Sequence, residues 1–258
     1  MAVAVRRVRH QLHYDLLVLV RNKEARFFTI ALPVLMLVLF VSIFGNEIFE
    51  VGDRSYPGST YYVANQLVFG IVDAGLMTTA VTIVGFREAG ILKRRRATPQ
   101  PAWVVVASRA LVGILGASAL FAVLLAVGVV AYGVELPLRV VPALLLALVV
   151  GGFACCSLGF AASTAIRRIE SATPTIMAMT LPLFFISGVF VPWFLVPTWL
   201  RDVALLFPVR HLAAATTEAL TSSSGAAVRW LDLAVVAAWG VAGLVIATRR
   251  FRWDAQGS

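Results

Sequence analysis

The sequence predicts an all-α polytopic membrane protein with six transmembrane helices, an N-terminal amphipathic interfacial helix, and outer re-entrant or interfacial helices between spans five and six. Three observations carry this. Of 258 residues, 60% are hydrophobic and 14% charged, with a mean hydropathy of +0.89, too apolar a balance for a water-soluble domain. Six runs reach the roughly 20 mostly apolar residues that a helix needs to cross a bilayer. The net charge of +9 sits between those runs, so it reads as orientation and not as a nucleic-acid footprint.

The runs extend approximately from Phe27 to Gly45, Tyr61 to Phe86, Ala110 to Gly133, Val141 to Ile166, Ala172 to Val191 and Leu231 to Thr248. The first is too long and too late for a signal-peptide core and lacks a small-x-small cleavage site, so it reads as a retained span. Before it, over residues 1–26, Val5, Val8, Leu12, Leu16 and Leu19 form an i, i+3/i+4 stripe beside Arg6, Arg9 and His13, which suits a helix lying flat on the cytoplasmic surface. Seventeen of the 22 basic residues fall before span one, after span two, after span four or after span six, and five fall on the other side. The positive-inside rule therefore places both termini in the cytoplasm.

Residues 192–230 are apolar enough to suggest a seventh span. They also carry Arg201, Asp202, Arg210, His211 and Glu218, and a charge at the centre of a spanning helix costs about 2.5 to 3.5 kcal/mol. Short helices in the outer interface, or dipping back into it, fit better, broken at Pro208 and ended by Ser222-Ser223-Ser224-Gly225. The whole chain, residues 1–258, thus reads as one transmembrane domain.

Catalytic signatures are few. The only lysines, Lys23 and Lys93, follow no glycine-rich phosphate loop, and neither H-E-x-x-H nor G-x-S-x-G occurs. His10 and His13 are spaced to share a metal but read as solvated interface residues, so no metal is expected. Cys155 and Cys156 are adjacent within an apolar run and give neither a disulfide framework nor a ligand spacing. At the outer face, His211 and Glu218 are the one histidine–acid pair in sequence.

The loop after span two, residues 87–109, is the most informative stretch. It reads Arg87-Glu88-Ala89-Gly90-Ile91-Leu92-Lys93-Arg94-Arg95-Arg96-Ala97-Thr98-Pro99. An acid beside Arg87, a helix-interrupting Gly90, the Ile91-Leu92 pair and the Thr98-Pro99 stop describe a short helix with a face for another protein. The basic run from Lys93 to Arg96 is equally a set of lipid anchors, each worth about 1 kcal/mol against anionic lipid. A second pattern runs from Leu181-Pro182 through Phe184-Phe185-Ile186-Ser187-Gly188 to Pro192, then Pro197, Trp199-Leu200 and Phe207-Pro208.

Together the two patterns, R-E-x-G-x-L-K-R-x-R-A-T-P and L-P-x-x-F-x-S-G-x-x-x-P, resemble those of type 2 ABC exporter permeases, the group that includes the daunorubicin-resistance-type membrane subunits. The resemblance covers nearly the whole chain. It implies a six-span half-transporter in the bacterial plasma membrane that pairs with a second permease, as homodimer or paralogue heterodimer, and with two separate ATPase subunits that bind ATP and Mg. It maps Arg87, Glu88, Gly90, Leu92, Arg94, Ala97, Thr98 and Pro99 onto the region coupled to the ATPase. The chain itself is then no enzyme, and it moves hydrophobic or amphipathic cargo such as a drug, an antibiotic, a natural product or a lipid out of the cytoplasm.

Candidate residues of the substrate path are Asp73, Asn65 and Thr79 in span two and Thr180, Phe184, Phe185 and Ser187 in span five. For Asp73, a polar element of the path and an inter-helix hydrogen bond both stand open. Pro182 should free a carbonyl and bend span five, and Ser187-Gly188 should permit close helix approach. The alternative class is an ion-coupled carrier or a lipid-modifying membrane enzyme, which transport by the isolated chain without ATP would favour.

Overall fold

The computed structural model describes residues 23–51, 54–91, 102–222 and 228–250. Apolar runs become helices because a backbone amide in hydrocarbon has no water to bond and must bond within its own segment. Helix α1 runs over Lys23–Phe44, α2 over Gly58–Val72, α3 over Thr78–Glu88, α4 over Ala102–Tyr132, α5 over Val141–Ala165 and α6 over Ile169–Ile186. Two short helices follow, α7 (Thr198–Ala204) and α8 (Pro208–Thr221), before α9 (Trp230–Arg250).

Among the described residues, five stretches are long and apolar enough to cross a membrane: Gly58–Glu88, Leu115–Tyr132, Leu138–Ala165, Ile169–Ile186 and Trp230–Arg250. The described side chains of α1, from Ile30 to Phe44, form a shorter apolar helix of the same kind. The predicted amphipathic stretch lies outside the described residues as far as residue 22.

Three features depart from the sequence reading. The loop after α1 is a hairpin of β1 (Ile48–Val51) and β2 (Arg54–Pro57), antiparallel with Ile48 opposite Pro57 and Val51 opposite Arg54. It is too short for period-two patterning to reveal. The second span is not one α-helix: a π turn over Asp73–Met77 joins α2 to α3. The fifth span ends at Ile186 and not at Val191, because Gly188 takes φ +89° and the amides of Val189 and Phe190 both turn back to the Phe184 carbonyl at 3.2 Å. Ser187-Gly188 is therefore a helix stop, not a packing step. The apolar Val189-Phe190-Val191 that follows made the run look longer than the helix.

Residues 192–222 contain no helix of spanning length, as their charges require. Helix α8 is nonetheless buried along Val209, Leu212 to Thr216, and Ala219-Leu220, packed against α2, α5 and α9. The Trp239 indole donates to the Leu206 carbonyl at 3.2 Å. Trp239 lies nine residues into α9, so the turn before α8 dips about 13 Å below the start of that span. The segment is re-entrant.

Two apolar clusters hold the bundle. One joins α2, α5, α6, α8 and α9 around Ile71, Leu148, Phe184 and Leu212, and the other joins α1, α2, α4, α5 and α8 around Leu37, Tyr62, Leu124 and Leu144. Helix α9 packs most extensively on α5. That contact is backbone to backbone: a Cβ on Gly243 would stand 2.9 Å from the Leu158 nitrogen, and one on Gly240 2.9 Å from the Ala154 Cα. Helix α5 meets the π turn the same way, with a Cβ on Gly159 falling 2.6 Å from the Leu76 carbonyl oxygen.

Candidate functional site

The C-terminal end of α3 carries the first group of predicted residues. Arg87 is 6% exposed, and its guanidinium donates to the carbonyls of Ser163, at 3.0 Å, and Ile166. These are the last carbonyls of α5, which have no partner in their own helix and carry the negative end of its dipole. Glu88, one residue on, accepts the Ile169 amide at 2.9 Å. Ile169 opens α6, so the carboxylate caps the positive end of that helix, an interaction worth about 0.5 to 2 kcal/mol. Adjacent residues of opposite charge thus seize opposite helix ends across the turn of Ile166, Arg167 and Arg168.

Gly90 ends this helix with φ +64°, its amide bonded to the Arg87 carbonyl at 3.1 Å. Arg87, Glu88 and Gly90 are thereby brought together. Leu92, Arg94, Ala97, Thr98 and Pro99 lie outside the described residues. Arg87 touches other spans of its own chain.

The membrane interior holds the second group. Asp73 begins the π turn, half-buried, with no hydrogen bond or ion pair among the described residues. Asn65 is buried and donates to the Tyr61 carbonyl at 2.9 Å, Thr79 points at the Cys156 sulfur at 3.8 Å, and Thr180 donates to the Ile176 carbonyl at 2.9 Å. The Ser187 hydroxyl is buried without a partner among the described residues. Phe184 lies in the core and Phe185 points out of the bundle, 47% exposed.

Sequence reasoning missed the aromatic ladder in which Phe184 takes part. Phe69 lies 5.1 Å from Phe184 and 5.6 Å from Phe190, Phe190 lies 5.4 Å from Phe40, and Phe40 stacks on Tyr62 at 5.6 Å. The ladder ties α1, α2 and α6 into one wall. Its signal was a seven-residue spacing, Tyr62 to Phe69, which places both rings on one helix face.

The opposite end of the bundle is closed by polar contacts, several of them buried or part-buried. The Tyr61 hydroxyl donates to the Gly188 carbonyl at 2.6 Å and accepts the Trp193 amide at 3.0 Å. The Arg210 guanidinium lies 3.5 Å over the Trp193 ring, and Arg201 reaches the same ring at 5.7 Å while donating to the Val196 and Phe194 carbonyls. His211 does not pair with Glu218, two helical turns away. Its Nδ1 meets Asp232 at 2.6 Å and its Nε2 meets the Leu205 carbonyl at 2.9 Å, while Arg229 bonds the other Asp232 oxygen at 2.5 Å. Only the tertiary fold brings α8 to the start of α9.

Apolar helices of spanning length, a segment folded back among them and a helix end clamped across a neighbouring turn define a polytopic membrane protein. Residues 8–220 match the family model of the ABC-2 type transporters, and the chain belongs to that family. Two relatives, both named as a probable multidrug ABC transporter permease YbhR, from Escherichia coli strain K12 and Escherichia coli O157:H7, are each 23% identical over 175 residues. The match covers 67% of this chain and 47% of each relative, so the chain spans about half the length of the curated relatives it matches. The chain is a polytopic membrane member of that family.

Proposed function

We propose that this chain is the permease of an ATP-driven exporter in the bacterial plasma membrane, with both termini cytoplasmic. Two such chains, identical or paralogous, pair with two ATPase subunits that hold ATP and Mg. The observation that carries the coupling is the clamp at the end of α3. A force on the loop after Gly90 reaches α5 through Arg87 and α6 through Glu88 without passing through a flexible linker. Closure of the ATPases moves that loop, and the two spans follow it. Different cargo affinities in the inward-open and outward-open states then give the cycle its direction.

The cargo is a hydrophobic or amphipathic small molecule, of the drug, antibiotic, natural-product or lipid kind. Support comes from the aromatic ladder, and from the outward face of α6, where Met177, Leu181 and Phe185 recur every four residues and are each about half exposed. A second permease set against that face would enclose an apolar path. The name of the two Escherichia coli relatives points the same way.

The test reconstitutes the chain with its ATPase partner in liposomes and compares Arg87→Lys and Glu88→Gln with the natural sequence. Lysine reaches one carbonyl where the guanidinium reaches two. Both variants should lose transport by about tenfold or more while the ATPase still hydrolyses ATP. Transport at the natural rate in both would overturn the coupling. Transport by the chain alone, without ATP, would favour an ion-coupled carrier.

A further inference from the structure

A cavity of about 560 Å³ lies inside the bundle between α5, α6 and α9, beside the re-entrant turn. From the geometry we infer that it seats one acyl chain of a phospholipid from the leaflet next to Arg167 and Arg168. This rests on the membrane fold and not on the transport reading.

The cavity's walls admit hydrocarbon and little else. The Thr180 hydroxyl on the wall is spent on the Ile176 carbonyl and the Trp239 N–H on the Leu206 carbonyl. Apart from the weak Cys155 thiol, no side-chain polar hydrogen on the described wall is left for water or a polar solute, and water needs two or more polar partners to occupy such a space. The volume is that of a site for a ligand of lipid-tail size. It opens past Met179, which is 59% exposed.

Depth names the source. At about 1.5 Å per residue, Ala162 stands about 5 Å and Cys155 about 15 Å above the end of α5 at Ala165. Met179 stands about 15 Å above the start of α6, and Trp239 about 16 Å above the end of α9. One leaflet contributes about 15 Å of hydrocarbon, so a tail starting at the arginine side reaches these walls, while the rest of the cavity, along Val236 and Pro182 to Ile186, stands about 20 to 26 Å from that side. From the opposite side, Phe207, Pro208 and Leu212 of the re-entrant segment lie along the cavity and crowd the approach. Arg167 and Arg168 follow the last turn of α5, are exposed, and form no ion pair among the described residues. They stand where the phosphate of that lipid belongs, each worth about 1 kcal/mol toward an anionic headgroup. The seated tail packs the re-entrant turn against α6 and α9, so removing it loosens the outer closure from below.

The experiment uses the full chain in nanodiscs of phosphatidylglycerol bearing a photoreactive diazirine near the end of one acyl chain, with cross-linked positions mapped by mass spectrometry. Label should concentrate at Leu158, Ala162 and Trp239 over the open lipid-facing sites Val149 and Val241. Ala162→Trp, which fills the cavity, and Met179→Trp, which blocks its mouth, should each lower that label roughly fivefold. Replacing both Arg167 and Arg168 by Gln should lower it on the order of tenfold with phosphatidylglycerol and little with phosphatidylcholine. Label spread evenly over the cavity and the open faces of α5 and α9 would overturn the proposal, and this measurement needs no variant. So would a Met179→Cys chain that cross-links to a second copy while the cavity stays unlabelled, since a protein would then be the occupant.

Discussion

Tyr61 and Gly188 show how one residue can decide the closure of the outer end. A buried hydroxyl that both donates and accepts leaves two orphaned backbone groups when it is removed, and each costs about 1 to 3 kcal/mol. Tyr61→Phe should therefore lower the thermal midpoint of the detergent-solubilised chain by several degrees, on the order of 2 to 6 kcal/mol. Gly188→Ala meets two penalties at once, a backbone at φ +89° and a Cβ 2.9 Å from the Tyr61 hydroxyl, and should cost at least as much as Tyr61→Phe. An unchanged midpoint in both would show that this contact does not hold the closure. In the sequence Gly188 stands out as a close-approach site within the span, with nothing to show that it ends the helix. Its partner Tyr61 was not legible, since a tyrosine at the start of a span is equally an interfacial anchor, and only the turn at Gly188 brings it a carbonyl.

At the scale of elements, α5 is the helix against which the others register. It touches the π turn through Gly159 and α9 through glycines on the facing helix, with backbone approaching backbone on both sides. No side-chain rotation relieves a Cβ placed there. Gly159→Ala and Gly243→Ala should each destabilise the chain by about 1 to 3 kcal/mol. Gly85→Ala faces only the flexible end of Ile169 at 3.4 Å and should be nearly neutral. Thermal inactivation of the three variants side by side separates these outcomes, and equal values would refute the close-packed account. Gly159 and Gly243 stand in the sequence as small residues within apolar runs, the kind that lets helices approach closely. Which helix each one meets, and that the second span carries a π turn opposite Gly159, depends on contacts far apart in the chain.

For the whole molecule, the charge distribution predicts sidedness. Ala89 beside the α3 clamp and Glu135 between α4 and α5 are both exposed and lie at opposite ends of the bundle. In a Cys155→Ala, Cys156→Ala background, a membrane-impermeant thiol reagent should label Ala89→Cys only from the cytoplasmic side and Glu135→Cys only from the outside. The reverse pattern would invert the topology, and with it the assignment of Arg87 to an ATPase-facing end. By itself the sequence determined that the chain is a helical membrane protein and roughly where its spans run, and it marked Arg87 and Glu88 as an oppositely charged pair where the second span ends. Hydrophobicity and charge act locally there, since each run must satisfy its own backbone in lipid and each arginine stays out of hydrocarbon wherever it can. Only the tertiary structure decided that Arg87 and Glu88 grip two helix ends of their own chain, that His211 takes Asp232 instead of Glu218, and that the outer segment folds back beside a dry cavity. Those outcomes depend on which helix faces come together, and such pairing is a property of the packed bundle that no single stretch of sequence encodes.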